Sequence, residues 1–194
     1  MTNDPRDLIS DSYREMNRQL HEQNKKYGVM RDSGDMQEAD AVTASIIDVA
    51  RNNKMKSILD YGCGKGMFKE AASRLAPDLT VTEYDPAIPG KDALPTPADL
   101  VICTDVLEHV EPDLLDAVLQ HIRSVTIKGA ISLPNLLPAK KVLRDGRNAH
   151  LIQESPAWWH GKVSKYFNVL SNKTHYKEPN VPMIVELICT PKPA

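Results

Sequence analysis

The sequence predicts an α/β fold: a mostly parallel sheet with helices on both faces, closed by an antiparallel β pair. Three observations carry the prediction. From residue 57 onward, short apolar runs suited to buried strands alternate with segments of helical periodicity, the pattern of repeated βα units. The first run, Ser57-Ile58-Leu59-Asp60-Tyr61, feeds straight into a glycine-spaced turn, Gly62-Cys63-Gly64-Lys65-Gly66, and then a helical segment. Near the end the pattern changes to two extended runs, 168–176 and 183–189, joined by Lys177, Glu178, Pro179 and Asn180.

The elements follow in order. Residues 5–26 read as an amphipathic helix, because Ile9, Tyr13, Met16 and Leu20 recur at spacings of four, three and four, and Gly28 stops it. A polar loop through Arg31 and Asp35 leads to a second helix over 36–51, with Val42, Ile46, Val49 and Ala50 on its apolar side. A strand at 57–61, a helix at 65–75 and a strand at 79–84 come next, and the last of these ends at Asp85. Between Asp85 and Asp99, Pro86, Pro89, Pro95 and Pro97 leave no room for a helix and a further strand. This trimmed middle region is expected to be an irregular, proline-stiffened connection. A strand at 100–103 precedes a helix opened by Pro112, whose buried stripe is Leu114, Leu115, Val118, Leu119 and Ile122. Residues 127–133 supply another strand. Ser155 as N-cap and Pro156 at the first helical position then start a helix through Trp158, Trp159 and Val163 to Phe167.

A chain of 194 residues with 41% hydrophobic and 26% charged content suits one sizeable core, organised as an N-terminal helical segment (1–54) and a sheet domain (55–194). Its longest apolar runs fall far short of the roughly 20 residues a membrane span needs, and the N-terminus lacks an apolar signal core. A cytoplasmic location is the expectation, with no membrane partner. Cys63, Cys103 and Cys189 have no C-x-x-C or metal spacing and read as reduced thiols. Net charge of −2 argues against a protein built to coat nucleic acid, yet residues 138–194 hold nine Lys/Arg against four Asp/Glu, a net +5. This excess is either scattered solvated surface or, at Lys140, Lys141, Arg144 and Arg147, a site for an anionic group on a substrate.

The glycine turn reads G-x-G-x-G, whereas a dinucleotide site wants G-x-G-x-x-G. Glycines at 62, 64 and 66 permit a tight positive-φ turn and are expected to let a ligand approach the backbone. At the end of the next strand, Asp85 is placed to accept both hydroxyls of a ribose. With Asp60, Asp85 and the run Ala98-Asp99-Leu100-Val101-Ile102-Cys103-Thr104-Asp105-Val106-Leu107-Glu108-His109, the chain from residue 57 onward resembles the class I S-adenosylmethionine-dependent methyltransferases of the small-molecule type. The resemblance implies a Rossmann-like sheet, S-adenosylmethionine as methyl donor with S-adenosylhomocysteine as product, and N-terminal helices lying over the cleft as a lid. It also implies that Asp60, Gly62, Cys63, Gly64 and Gly66 hold the methionine part. Asp85 with Pro86 then holds the ribose, Asp92 the adenine amino group, and Thr104, Asp105, Val106 and His109 line the adenine and methyl-donor side. Tyr27 would face the acceptor.

Methyl transfer from a sulfonium is an in-line displacement with a good leaving group, so the protein mainly orients, desolvates and, where the acceptor carries a proton, supplies a base. Asp105-Val106-Leu107-Glu108-His109 resembles the post-strand loop of small-molecule methyltransferases. It lacks the proline pair of enzymes acting on base amines in DNA, and Cys103 lacks the Pro-Cys context of a covalent thiolate. Glu108 and His109 are adjacent and are not expected to share one helix face or a proton relay. His150 is the first choice of general base, with Asp105 as a second catalytic residue. Arg147, Asn148, Trp158 and Trp159 complete the substrate-side candidates. The other histidines show no i, i+4 pairing and no metal site is expected. Two further readings stay open: an acceptor that is a nucleotide, an RNA or a modified base, and a noncatalytic S-adenosylmethionine-binding protein.

Overall fold

The computed structural model describes residues 8–24 and 36–193. Tyr27 and Gly28 lie outside them. The elements are α1 (Asp11–Gln23), α2 (Met36–Asn52), β1 (Ser57–Tyr61), α3 (Met67–Leu75), β2 (Thr80–Tyr84), β3 (Ala98–Thr104), α4 (Leu115–Ser124), β4 (Thr126–Leu133), α5 (Pro156–Val163), β5 (Phe167–Glu178) and β6 (Val181–Pro191). α1 starts later than its apolar spacing suggests. The Ser10 hydroxyl accepts from the Tyr13 amide and sets the N-cap, which leaves Ile9 in the approach to the helix. α5 has the N-cap at Ser155 and proline in its first turn that the sequence announces, but it ends at Val163 rather than running on to Phe167.

The six strands lie in the order β2-β1-β3-β4-β6-β5. β2, β1, β3 and β4 are parallel, β6 runs antiparallel to β4, and β5 antiparallel to β6. No helix intervenes between β2 and β3: the chain from Asp85 to Pro97 is a closed loop in which Asp85 N donates to Lys91 O and Lys91 N to Ile88 O. The β5–β6 turn comprises Pro179 and Asn180, and Asn180 takes the left-handed φ of 68° that the position after proline needs in a type II turn.

Alternation along the parallel strands builds two cores. Ile58 of β1 with Leu100 and Ile102 of β3 face one way, against Ile46, Ile47 and Ala50 of α2 and Phe68 and Ala72 of α3. Leu59, Val101 and Cys103 face the other, against Leu115 and Leu119 of α4 and Trp159 and Val163 of α5. α2 is thus a layer of the sheet domain. Only α1 stands off the sheet, on a small cluster of Ile9, Tyr13, Leu143 and Ala149. The order of strands reverses at β1/β3, and in such sheets the crevice beyond the carboxyl ends of the strands is where a ligand sits.

Candidate active site

The turn after β1 is held by the strand beside it: the amides of Gly62 and Cys63 both donate to the carbonyl of Tyr84, at 2.7 and 3.1 Å. Gly62 (φ 82°) and Gly66 (φ 85°) sit in the left-handed region. Their missing side chains clear protein rather than ligand, which corrects the simplest view of the glycine spacing. A Cβ on Gly62 would stand 2.5 Å from Val106 Cγ2, and one on Gly66 would collide with the Glu83 carboxylate and the Lys91 ammonium. Gly62 and Gly64 line the cleft and Gly66 does not.

Asp85 closes this turn. One carboxylate oxygen accepts from Gly64 N at 3.0 Å and the other from Ala87 N at 3.0 Å, so the carboxylate is fixed between two backbone amides and retains lone pairs toward the cleft. Lys91 braces the same corner, donating to Glu83 Oε1 at 3.0 Å and to Gly64 O at 3.2 Å. Asp60, at the mouth of β1, is buried, and its carboxyl is pushed up to about 7 by loss of water and by the negative charges of Glu83 and Asp85. It too lines the cleft. A cation delivered there would favour its ionised form.

The loop after β3 supplies the opposite wall. Asp105 holds a left-handed φ of 58°, and its amide donates to Leu133 O. A single 3-10 turn, Leu107–His109, follows. Within it Glu108 is fully buried. Its Oε1 accepts from Asn135 N at 2.7 Å, and its carboxyl stands within hydrogen-bonding reach of the Asp105 carboxylate. Burial, reinforced by the Asp105 charge, raises its carboxyl well above the ordinary range. His109 Nδ1 lies 2.8 Å from Ala149 O, and burial lowers its imidazole to about 4, so it is neutral. His150 Nδ1 meets Leu137 O, and the two rings stand edge to face with centroids 4.7 Å apart. One ligand atom from each of Glu108, His109 and His150 falls within 4.8 Å of the others. One ligand atom of each of the adjacent residues Glu108 and His109 thus comes within 4.8 Å of the other, against the expectation from helical facing.

These walls bound one cleft of about 1320 Å³ at the carboxyl ends of the strands. Asp60, Gly62, Cys63, Gly64, Asp85, Pro86, Thr104, Asp105, Val106, His109 and His150 line it. α1 spans it, tied at one end by Tyr13, whose hydroxyl donates to His109 O, and by Ser10 to the Glu111 carboxylate. At its other end Lys65 and Lys141 both donate to Asn24.

Several sequence candidates stand elsewhere. Asp92 is exposed and accepts from Gly90 N, ending a turn of the trimmed loop. Arg147 pairs with Asp145 at 2.7 Å and lies over the Tyr13 ring. Asn148 clamps the loop around His150 by exchanging hydrogen bonds with Ala139 and accepting from His150 N. Trp159 is entirely within the core, and Trp158 packs against that core under Lys162. None of these, nor Gly66, is among the residues that line the cleft. Asn135 and Tyr13 do line it and were not singled out from sequence. Asn135 was detectable as the first polar side chain beyond an apolar strand end, whereas Tyr13 was hidden in an ordinary apolar helical stripe.

The family model described as a methyltransferase domain matches residues 36–169. The mitochondrial ubiquinone biosynthesis O-methyltransferase of Schizosaccharomyces pombe is 31% identical over 35% of this chain, and the match spans about a third (34%) of that relative's length. Among solved structures, the 1,6-didemethyltoxoflavin N1-methyltransferase of Burkholderia thailandensis, with 1,6-didemethyltoxoflavin and S-adenosylhomocysteine bound, aligns at TM-score 0.64. It is 15% identical over 94% of this chain and 90% of that one. The N-methyltransferase NodS of Bradyrhizobium japonicum, in complex with S-adenosylhomocysteine, aligns at 0.62 and is 11% identical over 93% and 100%. Both share the Rossmann-like fold. On the family match over most of its length, the chain belongs to the methyltransferase domain family.

Proposed function

We propose that this protein transfers the methyl group of S-adenosylmethionine to a small-molecule acceptor by in-line displacement. The carrying observation is a single cleft with two unlike walls. On one, Asp60, Gly64 and Asp85 present a bare backbone bend and two carboxylates suited to an ammonium, a sulfonium and a ribose. On the other, Asp105, His109 and His150 face the same space, with Lys140 and Lys141 at its edge and Leu137, Met183 and Ile184 as apolar surface. The volume exceeds the roughly 300–1,000 Å³ usual for a pocket holding one small ligand, consistent with donor and acceptor side by side. Ligands of the two aligned structures support the donor assignment.

The acceptor best matched by these walls has an apolar body and an oxygen or other anionic substituent. Only Lys140 and Lys141 of the basic cluster face it: Arg144 reaches Gln19 and Arg147 is held by Asp145. His150 is the residue that orients or deprotonates the acceptor. Its Nδ1 must donate to the Leu137 carbonyl, so a neutral ring carries its lone pair on Nε2. α1 acts as the lid, excluding water while the methyl group is in flight. Isothermal titration with S-adenosylmethionine, S-adenosylhomocysteine and NAD tests the donor: one site for the first two and none for NAD is expected. Preference for NAD, or no binding of any of the three, would remove the proposal.

A further inference from the structure

We infer that Glu108, His109 and His150 form a binding site for a divalent first-row metal ion, zinc being the best match to the donors, on the acceptor side of the cleft. The sequence conceals it, because Glu108 and His109 are neighbours and His150 comes from a distant loop, with none of the spacings by which helical metal motifs are known.

Three observations bear on the site. The first is the convergence of one carboxylate oxygen and two imidazole nitrogens within 4.8 Å of one another, a two-histidine, one-carboxylate set that leaves a coordination position open. Around zinc, with ligand distances of about 2.0–2.2 Å, such atoms would stand about 3.4 Å apart, so the side chains need draw in by little more than an ångström.

The second is Glu108 itself. Its side chain is 0% exposed, Oε1 is engaged by Asn135 N, and the carboxyl stands within hydrogen-bonding reach of the Asp105 carboxylate. Two acids brought together in the interior need either a shared proton or a cation between them, and a divalent ion would supply the second.

The third is the outer arrangement. Both rings turn Nδ1 onto a main-chain carbonyl, His109 onto Ala149 and His150 onto Leu137. A carbonyl only accepts, so each neutral ring is fixed as the tautomer with its lone pair on Nε2, the arrangement that commonly orients metal-bound histidines. Asn135 N holds the other Glu108 oxygen, and the Asp105 carboxylate stands close enough to act on both Glu108 and His109, adding negative charge beside a cation.

Because His109 and His150 line the cleft, the open position would face the acceptor, where a bound ion, holding the His150 lone pair, would take over from that ring the task of orienting an acceptor oxygen and would lower its pKa before methyl transfer. This last step rests on the function proposed above; the binding of metal does not.

The test uses the whole protein, stripped with a chelator and titrated with Zn²⁺, Co²⁺ and Mg²⁺ by calorimetry, with Co²⁺ also followed by its visible d–d bands. One equivalent of Zn²⁺ and Co²⁺ is expected to bind, with the affinity reduced at least 100-fold in Glu108→Gln, which keeps the side-chain shape, and in His150→Gln. Binding of S-adenosylhomocysteine by both variants, measured in parallel, shows that they are folded. Stoichiometric S-adenosylhomocysteine binding together with no Zn²⁺ or Co²⁺ binding would overturn the metal site and leave the methyltransferase reading standing. Metal affinity unchanged in both variants would equally overturn it, since the ion would then sit elsewhere.

Discussion

The Asp85 carboxylate accepts the amide of Gly64 at 3.0 Å, so the end of β2 and the bend after β1 are one unit. A single side chain shapes the turn and, in the function proposed, would offer its remaining lone pairs to a ribose. Asp85→Ala is therefore expected to weaken S-adenosylhomocysteine binding by more than a lost ligand contact would, roughly 100-fold, and Asp85→Asn by about 10-fold, on the scale of one or two charge-assisted hydrogen bonds. Calorimetry on the two variants checks the order; equal affinities in wild type and Asp85→Ala would contradict it.

Gly62 is fixed by Val106, not by a ligand. Gly62→Ala adds a methyl group 2.5 Å from the valine and forces a positive φ, and is expected to cost roughly 2–4 kcal/mol. Trimming the neighbour in Gly62→Ala/Val106→Ala should recover about 1 kcal/mol of coupling while the φ strain stays. Urea unfolding of the four proteins in the cycle measures it, and strict additivity would mean the two residues do not compete for one space.

Asp60 makes the ligand-free protein pH-sensitive. Its folded carboxyl titrates near 7 against an ordinary value of 3.8, so the folded state holds a proton that the unfolded chain has released. Stability from this group is present in full below about pH 4, falls as pH rises toward 7, and is constant above that; the span is on the order of 2–4 kcal/mol. Asp60→Asn should abolish this share of the decline between pH 5 and pH 7.5 and leave the apo protein more stable than wild type at pH 7.5, while binding S-adenosylmethionine more weakly. Thermal melts at the two pH values decide it, and an identical decline in both proteins would show that the group does not titrate there.

Tyr13 ties α1 to the wall it covers, and burial pushes its phenol up to about 12, so it remains a donor to His109 O throughout the usable pH range. Tyr13→Phe removes that donor at a cost of about 1 kcal/mol, and release of S-adenosylhomocysteine should accelerate about fivefold in stopped-flow experiments. An unchanged release rate would mean that α1 does not gate the cleft.

Much of this was legible in the sequence because it follows from local chemistry. The period-two alternation of Ile58, Leu59, Leu100 and Val101 fixes which side chain enters which core, and Ser155-Pro156 marks a helix start whatever surrounds it. Four prolines between Asp85 and Asp99 announce that β2 and β3 are joined without a helix. What depends on folding was not legible. Arg147 and Asn148 sit three and two residues from His150, yet one is spent on Asp145 and the other on shaping the loop, because turn geometry and not proximity in sequence decides which side chain turns inward. The joining of Glu108 and His109 to His150 likewise exists only once β3 and the loop after β4 lie side by side.

Placing the two tryptophans outside the cleft separates fold from function. Trp159→Ala should cost roughly 3–5 kcal/mol through the cavity it leaves, and Trp158→Ala should leave S-adenosylhomocysteine affinity within about twofold of wild type. Chemical unfolding of the first and calorimetry of the second test the assignment. Loss of cofactor affinity in Trp158→Ala would place that ring in the binding site.

A crystal structure with S-adenosylhomocysteine tests the central claim most directly. The account predicts density with the ribose against Asp85, the amino-acid part beside Asp60 and Gly64, and the sulfur turned toward the space bounded by Asp105, His109 and His150. Density for the nucleoside anywhere other than this cleft, or a sulfur facing away from those three residues, would contradict it.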